Sequence, residues 1–216
     1  MKIKDNMANI VSIARIFVAF VAVWLMTLNK WTGFEIAFVL TIIAFAMDGL
    51  DGYIARKFNQ SSEWGSVLDI MGDRIVEMIY WIAFACLGLI PMLYPIICVT
   101  RAFVTDSIRS VALSKGMTAF GEKTMQTSSI GKFICASRFM RISYAVAKVV
   151  AFALLIIVAG IGSLREPLMH FTSDFITGLD VTAQILAFIA VFFCVIRGLP
   201  VVLESGKLFN NETKQD

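Results

Sequence analysis

Apolar residues run along this chain in long blocks separated by short polar stretches. Six blocks can be read, at about 10–29, 34–55, 67–90, 92–114, 133–161 and 181–203. Each is long enough for a helix to cross a hydrocarbon core about 30 Å thick. Only helices or closed barrels satisfy every backbone hydrogen bond in lipid, and these blocks are too long and too apolar for barrel strands. The breaks carry turn signals at Thr32-Gly33, Pro91, Lys115-Gly116 and from Gly160 to Pro167. The pattern predicts an all-α bundle of six transmembrane helices, a single membrane-embedded domain over residues 1–216.

Composition agrees with this pattern. The chain is 58% hydrophobic and only 16% charged, with a mean hydropathy of +0.80. A soluble domain carries about 25% charged residues. The net charge of +3 is modest, and no basic patch stands in a solvated domain, which argues against nucleic acid as a partner. Cys86, Cys98, Cys135 and Cys194 lie inside apolar blocks without Cys-x-x-Cys spacing, so they read as buried inert thiols rather than zinc ligands or disulfides. The first block, Asn9 to Leu28, is of spanning length and lacks a small-residue cleavage site, so it reads as a helix and not a cleaved leader.

Lysine and arginine in the connections set the orientation. Lys2, Lys4, Arg56, Lys57, Lys115, Lys123, Lys132, Lys207 and Lys214 fall on one side, and only Lys30 and Arg165 on the other. Both termini and the connections 56–66 and 115–132 are therefore expected in the cytoplasm, with the protein in the plasma membrane.

Charges within the blocks narrow the function. Arg15, Asp48, Asp51, Asp69, Asp73, Arg74, Glu77, Arg101, Asp106, Arg109, Arg138, Arg141, Lys148 and Arg197 lie in or at the ends of apolar runs. Each costs roughly 2.5–3.5 kcal/mol if it faces lipid. So many predict a shared polar cavity open to the cytoplasm, with acids on the second and third blocks and bases on the fourth and fifth. Asp48 and Asp51 are three residues apart, and Asp69 and Asp73 four apart, so each pair projects from one helix face. A short connection makes the two helices antiparallel neighbours and lets the four carboxylates converge. Four like charges at close range repel strongly in a low dielectric. Hard divalent cations relieve that repulsion, and all-oxygen ligation suits Mg²⁺, Mn²⁺ or Ca²⁺ better than zinc. Two such ions would clamp a phosphoryl centre. Gly52 and Gly65 leave room for a bulky ligand, and Arg56 can neutralise phosphate oxygens with its planar fork.

Asp48, Asp51, Gly52, Ala55, Arg56, Gly65, Asp69 and Asp73 match all eight positions of D-x2-D-G-x2-A-R-x8-G-x3-D-x3-D. In this the chain resembles the CDP-alcohol phosphotransferases. Asn9, Ser12 and Arg15 resemble the N-x2-[T/S]-x2-R entry of that family's first helix, with Ala8 where a proline is usual. The family has six membrane helices and cytoplasmic termini. The resemblance implies that Asp48, Asp51, Asp69 and Asp73 bind two Mg²⁺ or Mn²⁺ ions. It implies Asp73 as general base, and Asn9, Ser12, Gly52, Arg56 and Ser62 as contacts for the CDP moiety of CDP-diacylglycerol. An alcohol then takes the phosphatidyl group and CMP leaves.

Arg101, Arg109, Lys132, Arg138 and Arg141 suggest an anionic, phosphorylated acceptor alcohol. The stretch from Leu50 to Asn59, with Ile130-Gly131-Lys132, looks most like phosphatidylglycerophosphate synthases, which implies glycerol 3-phosphate. The stretch Asp69-Ile70-Met71-Gly72-Asp73-Arg74 departs from the D-P-L-A-D-K usual in that branch, and inositol phosphate is the closest alternative. A second copy of the chain is a candidate partner. A cation channel or transporter would also line a cavity with acids, but here the acids gather near one face and the two halves carry no inverted repeat. His170 falls in an outer connection, away from a cytoplasmic site. Trp31 and Trp64 read as interfacial anchors.

Overall fold

The computed structural model describes residues 7–57, 63–114, 128–164 and 173–210. Among them every element is a helix: α1 Met7–Thr27, α2 Trp31–Lys57, α3 Glu63–Cys86, α4 Leu93–Ser114, α5 Ser129–Ala136, α6 Arg138–Gly162 and α7 Ser173–Asn210. The all-α expectation holds. Four stretches are both long and apolar enough to cross a membrane: Asn9–Thr27, Trp31–Leu50, Phe139–Gly162 and Asp174–Gly206. The third and fourth blocks also form long helices, α3 with 24 residues and α4 with 22. Their charges, Asp69, Asp73, Arg74 and Glu77 on α3 and Arg101, Asp106 and Arg109 on α4, keep them below that degree of apolarity.

Several boundaries differ from the expectation, each for a local reason. The first break falls at Leu28-Asn29-Lys30, not Thr32-Gly33. Asn29 takes the left-handed conformation (φ 49°), which asparagine tolerates better than most residues. Gly33 is instead inside α2, where a Cβ would lie 2.7 Å from the Leu25 carbonyl oxygen, so its bare backbone permits the close approach of α1. The third block ends early, at Cys86. Gly88 (φ 74°) follows, with its N–H donating to Ala85 O at 3.0 Å and the Leu89 N–H to Phe84 O at 2.9 Å. This paired bonding is a Schellman cap. Gly160 continues α6, and its Cβ position lies 3.1 Å from Phe34 Cβ and 3.4 Å from the Trp31 ring. Trp31 is thus a packing residue as well as a helix start, while Trp64 is exposed. The fifth block is split at Ser137, which is extended (φ −63°, ψ 136°). Its hydroxyl accepts the Met140 N–H at 3.2 Å, as an N-cap serine does. The Lys115-Gly116 and Pro167 signals and His170 lie outside the described residues.

The chain forms two compact units. The first comprises Met1–Met92 and Val149–Ile185. Along α1 the residues Ser12, Arg15, Ala19, Ala22 and Met26 are all buried, a single stripe at spacings of three and four. Ala37, Thr41 and Ala44 form the buried stripe of α2. Small residues at such a seam let backbones approach, which is how helices pack where lipid removes the hydrophobic drive. Tyr80, Trp81, Phe84 and Phe152 fill the remainder of this core, with Trp81 edge-on to Phe152 at 4.9 Å. The buried Tyr80 hydroxyl shares a 2.7 Å hydrogen bond with Thr41, whose own hydroxyl also reaches Ala37 O at 2.6 Å. Many large apolar side chains remain exposed, Phe17 and Trp24 among them. In water such a surface would aggregate; in lipid it is the ordinary exterior. Gly33→Ala is expected to cost about 1–3 kcal/mol, because backbone rather than a flexible side chain blocks the added methyl. A lowered Tm of the detergent-purified variant would show it.

The second unit comprises Leu93–Lys148 and Leu186–Asp216. Ala112, Cys135 and Val201 form a small buried cluster with Ile108 against it. Gly198 meets the Arg101 side chain, and Gly131 meets Pro200 and Glu204. Pro200 lies inside α7. The Cys135 thiol donates to Arg197 O at 3.4 Å. Cys98, Cys135 and Cys194 are buried as expected, whereas Cys86, at the end of α3, is exposed.

Candidate metal centre

In the first unit α2 carries Asp48 and α3 carries Asp69 and Asp73. Helical spacing puts Asp69, Asp73 and Glu77 on one face of α3. Exposure falls along that face, from 53% at Asp69 and Asp73 to 4% at Glu77. The carboxylates of Asp48, Asp69 and Asp73 each place an oxygen within 4.8 Å of the others. Three of the four expected acids thus converge from two helices. The fourth, Asp51, follows on α2 with Gly52 and Arg56, but their side chains are not among those described, and Ser62 lies outside the described residues. Asn9 is half-buried and Ser12 buried on α1.

Between the carboxylates and α1 sits Arg15, 2% exposed. Its guanidinium forms ion pairs with Asp48, with Asp73 at 3.0 Å and with Asp69 at 3.8 Å. It also donates to the Asp69 carbonyl at 3.5 Å. Gly72 leaves room beside it, since a Cβ there would stand 2.8 Å from Arg15 Nη2. Neither residue was among the expected site residues. For Arg15 the available signals were a charge in the first apolar block and its match to the last position of N-x2-[T/S]-x2-R.

The basic residues expected at the acceptor belong to the second unit. Arg101 is half-buried, and Arg109 pairs loosely with Asp106 at 3.9 Å. Arg141 is exposed, and the side chains of Lys132 and Arg138 are not described. Arg197, on α7, joins this set unexpectedly. Its guanidinium lies 5.3 Å from the Tyr144 ring, and Lys148 Nζ lies 5.1 Å from the same ring. The Nε atoms of Arg101 and Arg197 are buried without a hydrogen-bond acceptor among the described residues. A buried donor so placed is costly and calls for an anion or water.

The family model described as CDP-alcohol phosphatidyltransferase matches residues 5–196. The chain belongs to that family. Among its relatives, a CDP-diacylglycerol–glycerol-3-phosphate 3-phosphatidyltransferase of Rickettsia prowazekii (strain Madrid E) is 34% identical over 76 residues, 35% of this chain and 42% of that protein. The Bacillus subtilis (strain 168) protein of the same name is 32% identical over 78 residues, 36% of this chain and 40% of its own length. A CDP-diacylglycerol–inositol 3-phosphatidyltransferase of Drosophila melanogaster is 36% identical over 66 residues, 31% of this chain and 28% of that protein. The matched stretch thus spans less than half of each of these relatives.

Family membership and the apolar helices together make this member of the CDP-alcohol phosphatidyltransferase family an integral membrane protein. The family generally uses divalent metal ions, and the aspartate cluster fits one: its donors are all carboxylate oxygens, close enough to share a hard cation.

Proposed function

We propose that this protein transfers a phosphatidyl group from CDP-diacylglycerol to glycerol 3-phosphate, releasing CMP and forming phosphatidylglycerophosphate. The convergence of Asp48, Asp69 and Asp73 within 4.8 Å in a member of this family carries the reading. Six membrane-crossing helices, with cytoplasmic termini and the site facing the cytoplasm of the plasma membrane, complete it. α3 and α4, with 24 and 22 residues, are long enough to be among the six. The protein works in the membrane, alone or as a homodimer.

Two Mg²⁺ or Mn²⁺ ions held by Asp48, Asp51, Asp69 and Asp73 would offset charge on the attacking and leaving oxygens. Asn9, Ser12, Gly52, Arg56 and Ser62 hold the CDP moiety. Asp73 takes the proton of the acceptor hydroxyl as general base. The alkoxide oxygen bonds to the phosphorus that carries diacylglycerol. The bond from that phosphorus to the bridging oxygen breaks, and the electron pair leaves with CMP.

Arg101, Arg109, Lys132, Arg138 and Arg141, with Arg197 added, bind the acceptor's phosphate. The unanswered Nε atoms of Arg101 and Arg197 support an anionic ligand in the second unit. A second reading, an inositol or inositol phosphate acceptor, is favoured by the inositol-specific name of the Drosophila relative, and the sequence from Asp69 to Arg74 departs from the glycerol-phosphate branch. Purified protein given CDP-diacylglycerol and, in parallel, glycerol 3-phosphate, inositol phosphate, inositol and serine should turn over fastest with glycerol 3-phosphate. Arg109→Ala and Arg138→Ala should lower kcat/KM for that acceptor about tenfold or more, some 1.4 kcal/mol, with little change in the donor KM. Lysine should rescue only partly, since a point charge cannot reproduce a bidentate fork. Preference for an uncharged alcohol would remove the phosphate-binding role of these residues.

A further inference from the structure

Arg15 is the most buried member of the aspartate cluster, yet it is the member that no metal would use. It comes from α1, whereas the acids come from α2 and α3. One guanidinium engages Asp48, Asp73 and Asp69 and also the Asp69 backbone carbonyl. It therefore ties three helices at one point. Its planar five-donor fork suits this task, and a lysine could not reach so many oxygens at once. Gly72 leaves the space in which Nη2 lies. The side chain is 2% exposed, so water cannot take over its role.

Three carboxylates this close repel one another unless a cation stands among them. Arg15 supplies a positive charge at that place, and it does so through the oxygens of Asp48 and Asp73 that a metal ion would also seek. The two cations compete for the same ligands. We infer that Arg15 is a built-in placeholder cation. It holds Asp48, Asp69 and Asp73 together in the metal-free protein, and it yields its contacts to Asp48 and Asp73 when a divalent ion binds. Arg15 is thus a positioning residue. It preserves the metal-free site through the repulsion that would otherwise spread it, at the expense of metal affinity. The inference rests on the metal reading above and goes beyond it by naming what keeps the site intact before loading.

The test is direct binding of Mn²⁺ alone, by calorimetry or by the loss of free Mn²⁺ paramagnetic signal, with Tm measured with and without the ion. Arg15→Gln should lower the metal-free Tm, tighten Mn²⁺ about tenfold, and enlarge the Tm rise that Mn²⁺ causes. Arg15→Lys should fall between Arg15→Gln and the wild type. Should Arg15→Gln not fold, Gly72→Ala carries the test, since its methyl displaces the guanidinium while leaving the charge in the chain. It should shift both readouts in the same direction by a smaller amount. A purely structural arginine would lower Tm equally with and without Mn²⁺ and leave affinity unchanged. That result, or weaker Mn²⁺ binding in the variants, overturns the inference while the metal reading stands. A wild type that binds no Mn²⁺ overturns both.

Discussion

Asp73→Asn should leave a folded protein with essentially no turnover. The substitution keeps the size and shape of the side chain and removes its charge and basicity. General base catalysis alone contributes about 10²–10⁴-fold, and the variant also loses one of the carboxylates gathered within 4.8 Å. The fall in kcat should therefore reach at least the upper part of that range. Binding of CDP-diacylglycerol should survive in part, because the proposed nucleotide contacts lie on α1, on α2 and at Ser62. Asp48→Asn and Asp69→Asn supply the control. Both should weaken Mn²⁺ binding, and extra metal should recover part of their activity. Asp73→Asn should not recover, since saturating metal cannot restore a base. Measured kcat at saturating Mn²⁺ separates the two classes. Near-normal turnover by Asp73→Asn would place the base elsewhere.

The carboxylate geometry was legible because it depends on spacing alone. Residues three or four apart share a helix face, so Asp69 and Asp73 were bound to project together once α3 formed. That Asp48 would meet them followed from the short connection between α2 and α3. Other features turned on contacts that spacing does not encode. Arg15 was visible as a charge in an apolar block, but its partners sit 33, 54 and 58 positions away, at Asp48, Asp69 and Asp73. Gly72 looked like a departure from the usual branch sequence, and the structure sets it beside Arg15, where a Cβ would stand 2.8 Å from Nη2. Turn residues misled in both directions. Gly33 and Gly160 resemble breaks, yet both serve close helix packing, the first against Leu25 O and the second against Phe34 and Trp31. Ser137 sits inside an apolar run and gives little warning, yet its hydroxyl captures the Met140 N–H and divides α5 from α6. The apolarity that marks a membrane helix fades where a helix lines a polar site. α3 is the case here, since Asp69 and Asp73 both lie on it.

Removing divalent metal should abolish activity entirely, and this is the largest effect expected. Asp48, Asp69 and Asp73 bring three negative charges together, against which Arg15 sets one positive charge. A pyrophosphate-bearing donor would add further negative charge to the same place. Without divalent cations that approach is repulsive, and the single charge of Arg15 does not balance it. Excess chelator should therefore suppress CMP release below detection, and Mg²⁺ or Mn²⁺ added back should restore it. Zn²⁺ should not, since it favours a four-coordinate site with nitrogen or sulfur ligands, and this cluster offers only oxygens. The protein itself should survive the treatment. Arg15 continues to offset part of the carboxylate repulsion, so the Tm should fall only modestly and activity should return fully on reloading. Collapse of the fold in chelator would mean that the carboxylates depend on metal for their structure. Full turnover in chelator would mean that they do not serve the reaction through metal at all.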